Sequence, residues 1–361
     1  MWPESAETDK PLRTGLTTGT CATACCVAAS ELLLGRSSTN QITVTLPKGQ
    51  EVSLVVDSCQ KADDVVRAST VKDAGDDPDI THGARIFVEL ALRDASGVAF
   101  VAGPGVGTVT RKGLALAVGE PAINDVPRRM MREHLQQQAA RFDYHGGFIV
   151  RVGVENGEAL AQKTMNPRLG IVGGLSILGT SGIVRPFSCA AWIASIHRGM
   201  DVASANHLDH IAASTGNTSE AAIQEHYAMH DMALIEMGDF AGAVLKYPKK
   251  QRVPKLSICD GFGKISKLAA GHLDLNSRAS SIDFQFLAET AAGDAALTRQ
   301  ILKANTSIEV YGIARQQGID MADAVCRKAR AFAREVAGEG TRIEVWAIDR
   351  QGDFIGHAGF D

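Results

Sequence analysis

The alternation of apolar strands with amphipathic helices after Asn166 is the feature that most constrains the fold. The runs HLDHIAAST, DMALIEM and KLSICDG read as strands, and each precedes a segment with helical periodicity. Such alternation is typical of a parallel sheet with helices on its faces, because parallel strands need long crossover connections. Later segments predict helices around 291–303, 307–316 and 321–337, and a closing hairpin at 341–358.

The first half of the chain has a different sequence pattern, without that regular alternation of strands and helices, and we interpret it as an α+β region. GGFIVRVGVENGEALAQKTM reads as a hairpin turning at Asn156–Gly157, a dipeptide that tolerates the positive φ of a tight turn. The other predicted elements are a helix from about Thr20 to Gly35, two strands joined near Pro47–Gly49, a strand over 84–93 and a helix with Asp125 as its cap.

The length of 361 residues favours two domains. We expect an N-terminal α+β domain at 1–165 and a C-terminal α/β domain at 166–361, with the hairpin at 341–358 packing on either. The net charge of −4 argues against a nucleic-acid partner, and no apolar run is long enough for a membrane span. Without a signal-peptide pattern at the N-terminus, we expect a cytoplasmic location. The seven cysteines form no CxxC pair and predict reduced, mostly buried thiols.

Three predicted strands of the second half end in glycine-rich polar turns: STGNTSE, EMGDF and CDGFGKIS. Ligands bind open parallel sheets at the carboxyl ends of the strands, where glycines admit a ligand and helix N-termini attract anions. An acidic side chain there suits ribose hydroxyls. The residues predicted to bind an adenosine-containing cofactor are Gly216, Asn217, Thr218, Glu236, Gly238, Asp239, Gly261 and Gly263. This pattern does not distinguish S-adenosylmethionine from a dinucleotide, although the absence of G-x-G-x-x-G from these turns disfavours a nicotinamide cofactor.

Three types of motif in the first half suggest ligand binding. LRTGLTTGTCATA places hydroxyls at a helix start, which fits either capping or anion binding. KDAGDDPDITHG clusters carboxylates that suit a hard cation or ligand N–H groups, although its spacing matches no calcium loop. Arginines in GEPAINDVPRRMM and NPRLGIVGGLSILGTSGIVRP offer guanidinium forks for carboxylates. His226 and His230 have zinc-like spacing but lack the glutamate of HExxH.

Six motifs in matching order between Leu12 and Ser277 resemble the cobalt-precorrin-5B carbon-1 methyltransferases of anaerobic cobalamin synthesis. They are LRTGLTTGTCATA, KDAGDDPDITHG, GPGVGTVTRKGL, VGEPAINDVPRRMM, NPRLGIVGGLSILGTSGIVRPFS and GFGKISKLAAGHLDLNS. The resemblance implies methyl transfer from S-adenosylmethionine to carbon 1 of a corrin ring, giving cobalt-precorrin-6A. It also implies an N-terminal domain like the second domain of ribosomal protein S5 and a Rossmann-like C-terminal domain.

This resemblance assigns the motifs of the first half to a flat corrinoid fringed with carboxylates. Its implied substrate-binding residues are Thr17, Thr18, Thr20, Asp73, Asp77, His82, Arg128, Arg129, Arg168, Gly173, Gly174, Thr180, Ser181 and Arg185, with Arg13 as a further cation. The metal belongs to the substrate, so no protein-bound metal is expected, and no catalytic base is assigned. The alternatives are a nicotinamide-dependent oxidoreductase acting on a corrinoid and a non-catalytic corrinoid carrier. A homo-oligomer and a partner enzyme of the cobalamin pathway stay open.

Overall fold

The protein is described here by a computed structural model covering residues 11–35 and 40–360. The chain divides into two compact units, Met1–Ser188 and Cys189–Asp361. No helix in the described part of the chain is long and apolar enough to cross a membrane.

The first unit combines a mixed sheet with two long helices. Its helices are α1 (Thr18–Leu33), α2 (Asp125–Arg141) and α3 (Gly157–Ala161). Its strands are β1 (Gly15–Leu16), β2 (Gln41–Thr45), β3 (Glu51–Val55), β4 (Ser58–Ala62), β5 (Val65–Val71), β6 (Arg85–Arg93), β7 (Gly97–Ala102), β8 (Gly105–Val106), β9 (Thr108–Val109), β10 (Gly147–Val154), β11 (Ile171–Val172), β12 (Gly174–Leu175) and β13 (Ile183–Val184).

The main sheet of the first unit has the strand order β4-β5-β6-β10-β7 and packs against α1. Small residues on α1 allow close approach, and its positions from Thr18 to Ser30 are all buried. Three of them, Cys21, Cys25 and Cys26, are at most 1% exposed, and all seven cysteines are free thiols. The predicted helix and the strand pair β2–β3 are confirmed.

Two sequence predictions for this unit are wrong. Asn156 and Gly157 do not turn a hairpin, because β10 pairs with β6 and β7 on its two sides and the chain then enters α3. Asn156 takes the left-handed conformation, as expected, but it serves as the N-cap of α3. The cap of α2 is Asn124 rather than Asp125, which lies in the first turn, where its charge favours the helix dipole.

Three short strands within residues 166–188 pair with strands of the first unit, although the sequence predicted this segment at the start of the second domain. The short strands β11, β12 and β13 pair with β9, β8 and β1, respectively. In the division of the chain into compact units, this glycine-rich segment belongs to the first unit, which runs to Ser188.

The second unit is a five-stranded sheet with helices on its faces. Its helices are α4 (Cys189–Ala205), α5 (Asn217–Tyr227), α6 (Ala241–Lys246), α7 (Phe262–Ala269), α8 (Phe284–Ala291), α9 (Ala295–Leu302), α10 (Ser307–Gln316) and α11 (Met321–Ala337). Its strands are β14 (His210–Ser214), β15 (Leu234–Glu236), β16 (Lys255–Gly261), β17 (Arg342–Ile348) and β18 (Phe354–Ala358). The helix α8 is absent from the sequence-based predictions.

The strand order β15-β14-β16-β17-β18 positions the candidate site. The first four strands along the chain are parallel, and only β18 is antiparallel to its neighbour. From β14 the chain passes to one side to form β15 and then returns to the other side to form β16. Such a reversal opens a crevice between the carboxyl ends of β14 and β16. The closing hairpin β17–β18 belongs to this sheet.

Candidate functional site

A cavity of about 430 Å³ lies at the carboxyl ends of β14, β16 and β17 in the second unit. This volume is within the usual range for sites that hold small organic ligands. The lining residues come from the ends of those strands, from the turns and helix starts that follow them, and from the start of α10: Thr215, Gly216, Asn217, Thr218, Ser219, Asp260, Gly261, Phe262, Gly263, Thr306, Ser307, Ile308, Ile348, Asp349 and Arg350.

Three helices begin at this cavity, and two of them have glycine as the N-cap. Gly216 precedes α5 and Gly261 precedes α7, and neither helix has a side-chain cap. The first-turn N–H groups of these helices therefore carry the positive end of the helix dipole without a side-chain acceptor. The third helix, α10, differs because its first turn is capped by Thr306, whose side chain accepts from the N–H of Glu309. The uncapped pair can hold an anionic group such as a carboxylate.

Both capping glycines face open space. A Cβ built on Gly216 or Gly261 would meet no heavy atom within 4 Å. Neither residue has a positive φ, so the backbone does not require glycine there. The missing side chains instead leave room beside the helix ends, as expected where a ligand approaches the backbone.

Asp260 is the one ionisable side chain buried deep in this cavity wall among the described residues, with 4% of its surface exposed. Its Oδ1 accepts hydrogen bonds from Thr215 Oγ1 at 2.7 Å and from the Gly261 N–H at 2.8 Å. Its Oδ2 is buried and has no hydrogen-bond partner in the part of the chain that the structure describes. Burial raises the pKa of Asp260 to about 7, although its hydrogen bonds and nearby Lys264 act in the opposite direction.

The structure brings together five of the eight residues predicted to bind the cofactor. Gly216, Asn217, Thr218, Gly261 and Gly263 line the cavity. The three residues predicted at the end of β15 and in the turn after it do not line the cavity.

The acidic residues proposed for ribose binding have other neighbours. Asp239 accepts hydrogen bonds from Lys264 Nζ and, at 2.9 Å, from Asn276 Nδ2. Glu236 lies at the end of β15, opposite Ser214. Gly238 has a φ of +52° and lies against the ring of Trp192.

Sequence reasoning missed several lining residues. Asp260 stands inside the quoted motif CDGFGKIS, directly before a glycine at a strand end, and that position was a usable signal. Thr306 and Ser307, and likewise Asp349 and Arg350, lie far from this motif in sequence and reach the cavity only through the fold.

In the first unit, the predicted threonines hold the start of α1 against the glycine-rich segment. Thr18 Oγ1 and the backbone of Leu178 exchange hydrogen bonds, and Thr20 Oγ1 donates to the carbonyl of Gly182 at 2.8 Å. Thr17 caps α1 by accepting from the N–H of Thr20. The three threonines are at most 4% exposed, so these contacts mainly position the surrounding loops.

The acidic turn is tied into the same region. Arg13 donates to both carboxylate oxygens of Asp73, and this pairing holds the pKa of Asp73 at about 2. Asp77 Oδ1 accepts from the N–H of Phe187 at 2.9 Å. His82 Nδ1 accepts from the N–H of Ala74 at 3.1 Å. These contacts bring three of the sequence motifs to one place in the unit.

The other acidic side chains of that turn also have protein partners. Asp76 accepts from the backbone N–H of Arg13, and Asp79 pairs with buried Lys72 at 2.6 Å. No group of three or more histidine, cysteine or carboxylate side chains suited to a metal ion occurs within 11–35 and 40–360.

The predicted arginines differ in exposure and in their protein partners. Arg128 donates to the carbonyls of Ile123 and Pro121 and pairs with Glu120, so its guanidinium fastens the approach to α2. Arg129 and Arg185 are exposed, whereas Arg168 is half-buried and has a protein partner.

The predicted residues of the glycine-rich segment, 166–188, have different environments. A Cβ on Gly174 would lie 2.2 Å from the backbone carbon of Gly105, so glycine is required there for close packing. Gly173 has no atom within 4 Å of such a Cβ, and Thr180 is exposed. Ser181 donates to the carbonyl of Ile183 at 3.0 Å.

Comparison with known proteins identifies the family. The family model named CbiD matches residues 5–186, and the model named CbiD, C-terminal domain matches residues 274–359. The curated "Cobalt-precorrin-5B C(1)-methyltransferase" of Marinomonas sp. (strain MWYL1) is 60% identical, over 99% of this chain and 97% of that protein. The protein of the same name from Pseudomonas syringae pv. syringae (strain B728a) is 59% identical, over 100% and 98%.

Among solved structures, the cobalamin biosynthesis protein (cbiD) of Archaeoglobus fulgidus is 24% identical over 85% of each chain, with a TM-score of 0.40. The two family models and the identity over almost the whole length of both curated relatives lead to one conclusion. The chain belongs to the CbiD family.

Proposed function

We propose that this protein transfers a methyl group from S-adenosylmethionine to carbon 1 of cobalt-precorrin-5B and gives cobalt-precorrin-6A. The family membership supports the reaction, and curated relatives of about 60% identity carry the name of that methyltransferase. The observation that carries the donor assignment is the cavity at the carboxyl ends of β14 and β16, with two uncapped, glycine-started helices in its wall.

The architecture supports a Rossmann-like assignment for the second unit. Four parallel strands, a reversal of strand order between β14 and β16 and a cavity at that reversal are the features of a doubly wound nucleotide-binding sheet. For the first unit we keep the proposal of a domain like the second domain of ribosomal protein S5. We place the division of the domains at Ser188 because residues 166–188 pair with first-unit strands.

The donor fits the residues at the cavity. A carboxylate suits the uncapped N-termini of α5 and α7, and the adenosine moiety needs the space left open beside Gly216 and Gly261. Glu236 and Asp239 stay secondary candidates for the ribose, since neither lines the cavity.

For the corrinoid, we propose that the exposed Arg129 and Arg185, together with Arg168, bind its peripheral carboxylates. Gly173, Thr180 and the loop around Ser181 provide open surface for the ring. The remaining predicted residues, which already bond to protein groups, hold these loops in place. They are Thr17, Thr18, Thr20, Asp73, Asp77, His82, Arg128 and Gly174.

The methyl transfer mainly requires that the two reactants be aligned with each other. Carbon 1 of the ring supplies an electron pair that forms the new carbon–carbon bond, while the sulfur–methyl bond breaks and S-adenosylhomocysteine leaves. The sulfonium donor is already activated, and positioning alone reaches effective molarities of roughly 10⁵–10⁸ M in well-oriented systems. The protein therefore needs to hold the two reactants and exclude water, and we assign no general base.

The direct test is incubation of the protein with cobalt-precorrin-5B and S-adenosylmethionine carrying a labelled methyl group. We expect the corrinoid mass to rise by one labelled methyl group. A control reaction contains the Gly216→Val variant, whose side chain projects into the space beside α5, and a second contains Gly312→Val. Gly312 also has open space around its Cβ position but does not line the cavity. Corrinoid binding without methylation would instead support the carrier.

A thermal-shift experiment separates the methyltransferase from a nicotinamide enzyme. S-adenosylhomocysteine should raise the melting temperature, because a ligand that binds only the folded state stabilises it. NAD(P)H should leave the melting temperature unchanged, and stabilisation by NAD(P)H alone would favour the oxidoreductase.

A further inference from the structure

The carboxyl of Asp260 has one oxygen that the described protein does not use. Oδ1 is held from two sides by Thr215 and the Gly261 N–H, which fixes the plane of the carboxylate. Oδ2 is buried in the cavity wall without a donor among residues 11–35 and 40–360. Buried polar atoms are almost always hydrogen-bonded, so this oxygen is available to accept from a donor that enters the cavity.

The same cavity also contains groups that attract anions, in contrast to the acceptor oxygen of Asp260. The helix α7 begins two residues after Asp260, with Gly261 as its N-cap, and the N-terminus of α5 lines the same cavity. Both helices have at least eight residues and lack a side-chain cap, so their first-turn N–H groups attract an anion. An acceptor oxygen and an anion-binding pair of helix ends thus share one cavity, and this pairing matches a zwitterion.

The methyl donor has such a zwitterion at one end only. Its amino-acid end carries an α-ammonium and an α-carboxylate, whereas its adenosine end is uncharged at neutral pH. We propose that the amino-acid end of the donor is held in this cavity, with the α-ammonium donating to Asp260 Oδ2 and the α-carboxylate accepting from the N-termini of α5 and α7. This assignment rests on the proposed function, and it gives the orientation of the donor at the sheet.

Asp349 provides a matched contrast within the same cavity. Its Oδ1 accepts from the backbone N–H groups of Gln351 and Asp353, at 2.9 and 3.0 Å, so it closes the turn before β18. Asparagine at this position retains that acceptor. Asp349→Asn therefore removes one negative charge from the cavity lining without removing the proposed ammonium contact.

The test is a cycle in which both protein and ligand are changed, with binding measured by calorimetry at pH 8. The proteins are the full-length wild type, Asp260→Asn and Asp349→Asn. The ligands are S-adenosylhomocysteine, its analogue with hydrogen in place of the α-amino group, and methylthioadenosine, which lacks the whole amino-acid end. Circular dichroism and melting curves establish that each variant is folded.

We expect the wild type to bind S-adenosylhomocysteine roughly 10- to 100-fold more tightly than the deaminated analogue, the usual range for a charge-assisted hydrogen bond. Asp260→Asn should lose most of this preference and bind methylthioadenosine as the wild type does. Asp349→Asn should keep the preference.

Equal losses for S-adenosylhomocysteine and methylthioadenosine in Asp260→Asn would place the adenosine end at Asp260 and overturn the assignment. If Asp260→Asn does not fold, the wild type alone decides, because equal affinity for the two amino-acid-bearing ligands would also overturn it. Wild-type protein that binds none of the three ligands would refute the proposed donor itself, which is a separate failure.

Discussion

Replacing Asp260 with asparagine should remove a loss of stability that the ligand-free second unit undergoes as the pH rises from acid to alkaline. Burial raises the pKa of Asp260 from 3.8 to about 7. Between these values the folded state keeps a proton that the unfolded state has released, so wild-type stability falls as the pH rises through this window. About 3 pKa units at about 1.4 kcal/mol each give a total on the order of 4 kcal/mol. Of this, about 2–3 kcal/mol develops between pH 5 and pH 8.

Asparagine cannot ionise, and it retains an acceptor for Thr215 and Gly261. Its amide nitrogen takes the position of the unpartnered oxygen, at a cost that does not depend on pH. The quantity to compare is therefore the change with pH of the stability difference between variant and wild type. A stability change of 1 kcal/mol shifts the melting temperature of a unit of this size by roughly 2–4 °C. The difference in melting temperature between variant and wild type should therefore widen by roughly 5–10 °C from pH 5 to pH 8.

The assay is urea unfolding of the ligand-free protein, followed by tryptophan fluorescence at several pH values. Trp192 and Trp346 both lie in the second unit, so the signal reports mainly on it, while Trp2 lies outside the described residues. Glu339→Gln, at an exposed position, controls for the loss of one negative charge. A gap between Asp260→Asn and wild type that stays constant from pH 5 to pH 8 would refute the reasoning.

Three further predictions concern ligand binding. Gly216→Val should weaken S-adenosylhomocysteine binding at least tenfold while the protein stays folded, because the new side chain occupies open space; unchanged affinity by calorimetry would contradict this. Arg168→Ala and Arg185→Ala should each weaken corrinoid binding more than donor binding, and equal losses for both ligands would argue against their proposed role. Wild-type affinity for S-adenosylhomocysteine should rise about tenfold from pH 6 to pH 8, as Asp260 ionises, and should be flat in Asp260→Asn.

We attribute the pH dependence of S-adenosylhomocysteine binding to Asp260 because no other group in the cavity lining is expected to titrate near neutrality. The charged groups near Asp260 are Asp239 and Lys264, and Asp349 and Arg350 complete the charged lining of the cavity. None of the lining residues is a histidine or cysteine, the side chains whose ordinary pKa values lie nearest to neutrality. A pH profile that persists in Asp260→Asn would therefore point to a group outside the cavity lining.

The sequence alone determined the features that depend on local periodicity and on turn chemistry. The alternation of strands and helices predicted the parallel sheet, and the glycines at positions 216 and 261 marked two strand ends that line one cavity. The six motifs were specific enough to give the family, which both family models confirm.

Only the tertiary structure decided which chemistry-bearing residues come together. Local sequence could not distinguish Asn156 in a hairpin from Asn156 at a helix start, because both use the same left-handed conformation. It could not show that Arg13 and Asp73 pair with each other, or that Asp239 lies outside the cavity beside Lys264. The raised pKa and unused oxygen of Asp260 arise from burial between strands and helices distant in sequence, and burial is a property of the packed chain.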